Sequence, residues 1–595
     1  MNTQKLSSRP HRLTTLAGLL VFLLGITLPS SLSYAGSIPA PIDNTKLDKL
    51  GVDLLSGLPT VKETTLTIGH DDLSLRHELI SHAGNIYGFF DLTSSYIFTH
   101  KTAYGEEAKV RIGTFAHDLQ KGHSGNTFRP FNEDGSSLIR HSPYHYVYTQ
   151  SDGTVYESNN GKKTLTYPNG FTLDITREAI TSNNGLQLRF TRDYRSDGSS
   201  YLERVTGINL AEVTCNQSNS DCGLNTEWPS VHFKSDDNNV AVGQTYSLTI
   251  TKPEGERIRF VNQRMNMERQ PDVTPHRLIA VYRNNSSRPV TTYEYEDRYT
   301  CSGEMFTYMI SCTEPKLVLG KATHYGAKYR YHNTTPSGPY TSLTGSVSGE
   351  NGGYFASTTY LSYKGNRGYF SNSSWTGGGA TYSLDSKNRI THFTDKGLSF
   401  TYRYNQYGDI IERKRVNNAQ AAVPGRADVV ERVGYDTVCT PHTIKYCRKP
   451  TYHIDENGNQ TDYSYHSASG YVSKIIQPAD SKGVSPVTFM EYQALYAKYK
   501  NASGEVTQAS TPIWRLTKKT QCISQAATDT GCQEGDALVT YYDYGQDRAT
   551  TNLWLASTKV VAPDGESRLT CFYYDALGRK NATISPDANL SSCPL

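Results

Sequence analysis

Apolar residues along this chain alternate with polar ones rather than recurring at helical spacing. Between Thr164 and Thr176, Leu165 and Tyr167 alternate ahead of Asn169-Gly170, and Phe171, Leu173 and Ile175 alternate after it. Two period-two runs around Asn-Gly predict a hairpin, because that turn needs positive φ. Tyr246, Leu248 and Ile250 precede Pro253-Glu254-Gly255 in the same way, and Ile258 and Phe260 follow it. Strand and turn signals of this kind recur from about residue 60 onward, and no long stretch outside the N-terminus keeps an apolar period of 3.6. The expectation is an all-β chain, with room for short helices only.

The pattern divides the chain. A β-rich N-terminal region is expected over 36–160 and a β-sheet region over 161–343. Between Thr344 and Tyr382 the sequence turns rich in Gly, Ser and Asn, with Gly352-Gly353 and Gly377-Gly378-Gly379, which reads as a junction over 344–381, either a loop or loosely patterned strands. A degenerate repeat then occupies 382–595. Asp385, Asn388 and Arg389 in the first unit are followed by Tyr404 and Gly408 in the next; Tyr465 to Tyr471 is a looser copy, and Tyr574, Asp575, Gly578 and Arg579 form the clearest. A second turn element precedes these units at Asp455 and Gly458 and at Asp564 and Gly565; incomplete units begin at Tyr435 and Tyr542, and Lys482 to Ala537 interrupts the series. In each unit Tyr packs its ring on a neighbouring rung, Asp or Asn opens the turn and Gly turns the corner. A lone hairpin is unstable, so stacked hairpins burying one continuous face are expected.

The unit Tyr574-Asp575-Ala576-Leu577-Gly578-Arg579, with Pro563-Asp564-Gly565 before it, resembles the YD repeat of RHS-repeat proteins. Gly51-Val52-Asp53-Leu54, Gly57, Leu66-Thr67-Ile68-Gly69 and Leu73-Ser74-Leu75-Arg76 resemble the N-terminal region of secreted members of that family. The resemblance implies a β-sheet of stacked hairpins that spirals into a complete or partly closed shell, which in the family often encloses a C-terminal toxin; related teneurins and insecticidal toxin complexes share the architecture. It implies a non-enzymatic shell or scaffold in a toxin-encapsulation or cell-surface system. Its partners would be a toxin cargo, a second shell-completing chain or surface glycans. No Asp-Pro-x-Gly-Leu motif occurs, and Pro586-Asp587-Ala588-Asn589-Leu590 reverses its order, so self-cleavage is not expected.

Composition narrows the setting. Tyr is frequent (43 of 595 residues), and Gly reaches 48, which favours strands and turns over helix bundles. Lys5, Arg9 and Arg12 precede an apolar run from Leu16 to Leu28, followed by Ser33-Tyr34-Ala35-Gly36, the three parts of a secretory signal peptide with cleavage expected after Ala35. The run is too short to span the bilayer as a helix, so no stable membrane insertion is expected after cleavage, although an uncleaved anchor is the rival reading. Loss of the first 35 residues takes the formal charge from +3 to zero, which argues against a nucleic-acid partner. Ten cysteines fall into neighbouring couples: Cys215 and Cys222, Cys301 and Cys312, Cys439 and Cys447, Cys522 and Cys532, Cys571 and Cys593. The even count suggests disulfides made in an oxidising compartment (secreted, periplasmic or cell-surface), with nearest-neighbour pairing as the prediction; zinc is the rival, but no Cys-x-x-Cys occurs.

Candidate chemistry is sparse. His77 and His82 are five apart where a zinc-protease helix needs four, and their neighbours alternate as in a strand. Ser124 sits in Gly-His-Ser-Gly-Asn, one residue short of a nucleophile elbow and without a βαβ setting; it leaves a secreted hydrolase as the rival enzyme class. Gly320-Lys321-Ala322 lacks the phosphate-loop hydroxyl, the Asp455 loop lacks a calcium-hand Glu, and Asp193 and Asp236 form a glycosidase pair only if the fold brings them together. No catalytic residue, cofactor site or metal site is assigned. The tyrosine excess has a structural reading, buried ladders, and a functional one, an exposed patch that stacks on sugars. A carbohydrate-binding surface protein is therefore the first alternative.

Overall fold

The computed structural model describes residues 50–594, apart from connecting segments of which 215–227, 265–275 and 417–427 are the longest. It describes only the backbone for most of 299–382. The segment 1–35, where a signal peptide is expected, and Ser124 lie outside the described residues.

The fold is all-β; the only helical elements among the described residues are 3-10 turns such as Asp71–Leu73. Three antiparallel units carry it. An N-terminal hairpin pairs Leu58–Ile68 with Leu75–His82. A first large sheet runs in near-sequence order from Tyr96–Thr102 to Tyr369–Gly377. A second, 14-stranded sheet runs from Thr381–Leu384 to Lys580–Ile584. The first sheet passes through residue 160 unbroken, since Val155–Asn159 pairs with Lys162–Thr166. The Gly/Ser/Asn-rich stretch 344–381 supplies the strands Tyr340–Gly349, Tyr354–Tyr363 and Tyr369–Gly377 of that sheet. Of the two forms open to this stretch, strands are the one formed, with Thr, Ser and Tyr occupying paired positions.

One turn geometry serves both large sheets. In the first hairpin Gly170 N–H donates to Tyr167 O (2.9 Å), Tyr167 N–H donates to Phe171 O (2.8 Å), and Gly170 has φ +87°. Only the glycine takes positive φ, because Pro168 pre-sets an ordinary type I turn before it. The sequence reading asked this of Asn-Gly as a pair; the longer loop relieves Asn169. Lys252–Gly255, Asp455–Gly458, Ala562–Gly565 and Asp575–Gly578 repeat the glycine-to-carbonyl bond. Where Asp opens the turn its carboxylate replaces missing backbone partners: Asp455 Oδ1 accepts from the N–H groups of Asn457 (2.8 Å) and Asn459 (2.9 Å). Asp575 Oδ1 accepts from Leu577 and Arg579 likewise (3.0 and 2.9 Å).

The tyrosines form a ladder of a specific kind. The register shifts just before Tyr404, Tyr435, Tyr465 and Tyr492, one β-bulge each. The extra residue sits on the partner strand each time, at Ile411, Thr451, Ser473 and Thr517, and increases the local twist beside the tyrosine. Each hydroxyl then donates to a backbone carbonyl of an earlier strand: Tyr404 to Ile390 O (2.6 Å), Tyr435 to Ile410 O (3.2 Å), Tyr465 to Pro450 O (2.6 Å) and Tyr492 to Val472 O (2.8 Å). Burial pushes all four phenols above their ordinary pKa. Tyr295 follows the same bulge in the first sheet and donates to Leu278 O (2.8 Å), so the device begins well before residue 382. Lys482–Ala537 does not interrupt the second sheet. It contributes Val487–Leu495 and Ile513–Cys522, paired with each other, and sends out the small hairpin Lys498–Lys500 with Val506–Gln508.

Three of the cysteine couples are disulfides: Cys439–Cys447, Cys522–Cys532 and Cys571–Cys593, with Cα separations of 5.3, 5.1 and 5.7 Å. Cys301 stands opposite Cys312 in a two-stranded ladder. Cys215 and Cys222 lie outside the described residues. Disulfides on this scale fit an oxidising compartment. Full reduction is expected to lower the thermal midpoint, since each loop closure contributes about 2–3 kcal/mol. A scan with and without reductant checks this, and an unchanged midpoint would count against a structural role.

Candidate functional site

The site that the fold builds most carefully is the seam where the N-terminal hairpin meets both large sheets. Its tip is Gly69 to Ser74. Gly69 has φ +90° and donates its N–H to Leu577 O (2.7 Å), so the hairpin tip bonds to the last repeat turn. Asp72 follows in the 3-10 turn. Its Oδ1 accepts from Arg515 Nη1 (2.7 Å), and its Oδ2 accepts from the Tyr471 hydroxyl (2.6 Å) and Asn169 Nδ2 (3.2 Å). One carboxylate therefore ties the hairpin to a turn of the first sheet and to a turn and a strand of the second.

The electrostatics follow from that geometry. Burial would raise the Asp72 pKa, but the Arg515 charge and the bonds from Tyr471, Arg515 and Asn169 outweigh it and hold the carboxyl below the ordinary range. Burial likewise opposes charge on Arg515, and the Asp72 carboxylate reverses the sign and raises its pKa. Arg515 lies over the Tyr544 ring, 4.7 Å from its centroid. The Asp72 side chain keeps 32% exposure against 8% for Arg515, so the unpaired arginine is the costlier species.

The seam extends along the sheet ends. Asn552 Nδ2 donates to Asn184 O (2.7 Å) and Asn209 Oδ1 (2.9 Å), and Asn209 Nδ2 donates to Ala576 O (2.9 Å). Next to them Leu553 is fully buried at φ +62°, a left-handed conformation that only a firmly packed surrounding sustains. Trp514 N–H donates to Asn169 O (2.8 Å). The loop closed by Cys439–Cys447 presents Lys445 to Pro168 O (3.0 Å) and Arg448 to both Asp134 O (2.7 Å) and the Asp409 carboxylate (3.0 Å). On the other side of the hairpin, Glu63 accepts from Lys252 (2.9 Å) and Arg283 (2.8 Å) of the first sheet. A cavity of about 420 Å³ opens beside the tip, lined among others by Asp71, Arg76, Glu78, Phe115 and Tyr167.

The repeat-signature residues fall at corners and rungs. Asp385 binds Arg389 through its backbone N–H (2.9 Å) and Nε (2.8 Å); Asn388 is outside the described residues. Gly408, Gly458, Gly565 and Gly578 all have positive φ. Asp564 accepts from Glu566 N–H (3.0 Å). The Tyr574 ring lies between Trp554 (5.5 Å) and His70 (4.9 Å). The last repeat reaches the seam through Ala576 to Gly578, and the looser copy reaches it through Tyr471.

His77 sits in a strand, as its alternating neighbours imply. Its Nδ1 lies 2.6 Å from Thr65 Oγ1, its Nε2 lies 3.4 Å from Asp91 Oδ2, and Phe190 and Phe233 meet its ring edge-on. The three groups match a nucleophile–base–acid series in kind. All are buried, however, and Asp91 also caps the 3-10 turn by accepting from Ser94 N–H (3.1 Å), so the cluster holds structure. Burial opposes ionisation of Asp91, but bonds from His77 and Thr93 prevail and bring its pKa down to about 2. Asp193 binds the Tyr201 hydroxyl (2.6 Å) and Asp236 the Ser247 hydroxyl (2.9 Å), each within its own part of the sheet. No cluster of metal-ligating side chains occurs among the described residues. No described helix is long and apolar enough to cross a membrane.

No family model matches the chain, and no curated protein does. Among solved structures it is similar to the crystal structure of TcdB2-TccC3-TEV at 10% identity and TM-score 0.30, over 93% of this chain and 28% of that one. It is similar also to TcdB2-TccC3 without the hypervariable C-terminal region, at 10% identity and TM-score 0.29, over 86% and 27%. A third is TcdB2-TccC3, at 9% identity and TM-score 0.27, over 86% and 29%. The chain thus spans less than a third of the length of these chains.

Proposed function

We propose that the protein is an exported, non-enzymatic shell or scaffold element whose two sheets form one wall around a polypeptide guest, with a toxin-like cargo or a second wall-completing chain as partner. The observation that carries this is the seam. Side-chain bonds at sequence separations of 302 to 443 residues join a turn of one sheet to a turn and a strand of the other, through a hairpin inserted between them. An open sheet that only displayed a surface would need no such stitching. Bulged tyrosine rungs add curvature by increasing local twist, which favours an enclosing wall over a flat one. The disulfides and the expected signal segment support export.

Containment is testable with a passenger. A disordered, protease-sensitive polypeptide fused after Leu595 is expected to survive a protease concentration that degrades it within minutes on an unrelated carrier. Digestion at the same rate on both carriers would remove the enclosing role.

A further inference from the structure

The outward face of the first sheet carries a cationic patch. Strand registers align two cross-strand rows: Arg204, His232, Thr251 and Arg257 in one, and Lys234, Thr249, Arg259 and Tyr282 in the other. Their sequence neighbours Val231, Phe233, Ile250, Ile258 and Phe260 are buried, so alternation turns both rows outward. Arg204, Lys234, Arg257 and Arg259 make no ion pair among the described residues. Other strand cations are paired, among them Lys109 with Asp118, Arg413 with Glu431 and Lys518 with Glu491. Two nearby carboxylates are committed elsewhere: Glu256 to Lys252 and Arg283, and Asp236 to the Ser247 hydroxyl.

The patch is also shaped. A depression of about 400 Å³ is lined by Thr249, Arg257, Arg259, Tyr282, Asn285 and Ser287, among others. The Arg259 guanidinium lies 4.1 Å from the Tyr282 ring centroid. Stacking fixes the guanidinium plane while leaving its N–H edge free, which pre-organises a fork for an oxyanion. Asn285, at φ +57°, and Ser287 place amide and hydroxyl groups at the rim. Arg204 Nε is buried without a hydrogen-bond partner at the far end of the first row.

We infer that this face binds an acidic glycan, a saccharide bearing sulfate or carboxylate groups. The unpaired guanidinium and ammonium groups take the oxyanions; the Thr, Ser, Asn and Tyr groups suit sugar hydroxyls. A single-stranded nucleic acid shares the charge, but the one aromatic face of the depression is covered by Arg259 and offers no stacking platform for bases. The inference is independent of whether the wall encloses a guest.

Titration calorimetry of the full chain with a heparin-derived oligosaccharide, a neutral dextran oligosaccharide and a single-stranded DNA of similar charge tests it. Binding of the sulfated sugar alone is expected, weakening from about 50 to about 200 mM salt. The double substitution R257A/R259A is expected to lower affinity roughly tenfold or more, since two charge-assisted contacts go. K518A, at a paired cation elsewhere, is expected to leave it unchanged. Both arginines are exposed, and an unaltered thermal midpoint of the double variant certifies its fold. Absence of sulfated-sugar binding by the unaltered protein, equal binding by the double variant, or tighter binding of DNA than of the sugar would each overturn the inference.

Discussion

Replacing Asp72 by Ala is expected to release the second sheet from the first, at a cost of about 3–5 kcal/mol. That is the range for breaking a buried ion pair from one side. The cost arises mainly at Arg515, which keeps its charge in a site only 8% exposed and loses its counter-ion. Tyr471 and Asn169 lose an acceptor at the same moment. Solvent access to Asp72 places the expected loss near the lower end. Urea titration should show an early transition in D72A, with hydrogen exchange rising first in Asn169, Tyr471 and Gly69. D72A/R515M removes both charges and is expected to recover much of the loss, since an apolar pair needs no desolvation of ions. A D72A midpoint equal to that of the unaltered protein, or a double variant no better than D72A, would show that the carboxylate is not the clasp.

The same residue gives a pH dependence of definite sign. The Asp72 pKa is lower in the folded protein than its ordinary 3.8. Its contribution is therefore complete above the unfolded value and fades as pH falls through the folded one. D72N should flatten stability against pH below about 4, while leaving the acid loss from Asp91, whose folded pKa is about 2, in place.

How much of this could be read beforehand depends on how local the physics is. Strand alternation and the glycine at each corner are local, so Leu165, Leu173, Gly170 and Gly255 announce their hairpins without help from the rest of the chain. The tyrosine rungs were visible as residues, but the bulge opposite each one was not: an extra residue in a strand leaves no compositional mark. For the same reason Tyr295 went unnoticed outside the Tyr-Asp-x-x-Gly pattern, although it makes the same bond as Tyr404. The clasp was invisible. Asp72 looks like any acid in a polar turn, and its partners are 97, 399 and 443 positions away. The Lys482–Ala537 stretch lacks the tyrosine signature but keeps the turn: Asn501 Oδ1 accepts from the N–H groups of Ser503 and Glu505 (2.9 and 3.1 Å) at the tip of the hairpin whose Lys500 reaches Glu212 O (2.8 Å) across the seam. Loss of pattern there records a contact, not a break in the sheet. The paired rows of Lys, Arg and Tyr were hidden for a further reason: register, which sequence alternation leaves open, decides which residues on different strands become neighbours.

Gly578 carries the second large effect, and two glycines with nearly the same backbone separate its causes. Gly565 has φ +87° and Gly578 φ +80°, so any side chain at either incurs about 1–2 kcal/mol of left-handed strain. A Cβ at Gly565 would meet nothing within 4 Å. A Cβ at Gly578 would lie 2.7 Å from Gly69 Cα and 2.7 Å from Trp554 Cζ2. One of these neighbours is backbone, so relief requires the hairpin tip to withdraw and lengthen the bond from Gly69 N–H to Leu577 O. Overpacking of this kind adds about 1–3 kcal/mol. G578A is therefore expected to destabilise clearly more than G565A, and G578V more again, because a β-branched side chain fits left-handed backbone worst. Hydrogen exchange at Gly69 distinguishes docking from strain: protection should fall in G578A and stay unchanged in G565A. Equal melting midpoints for the two alanine variants, with Gly69 equally protected in both, would mean that the last repeat turn does not close the seam.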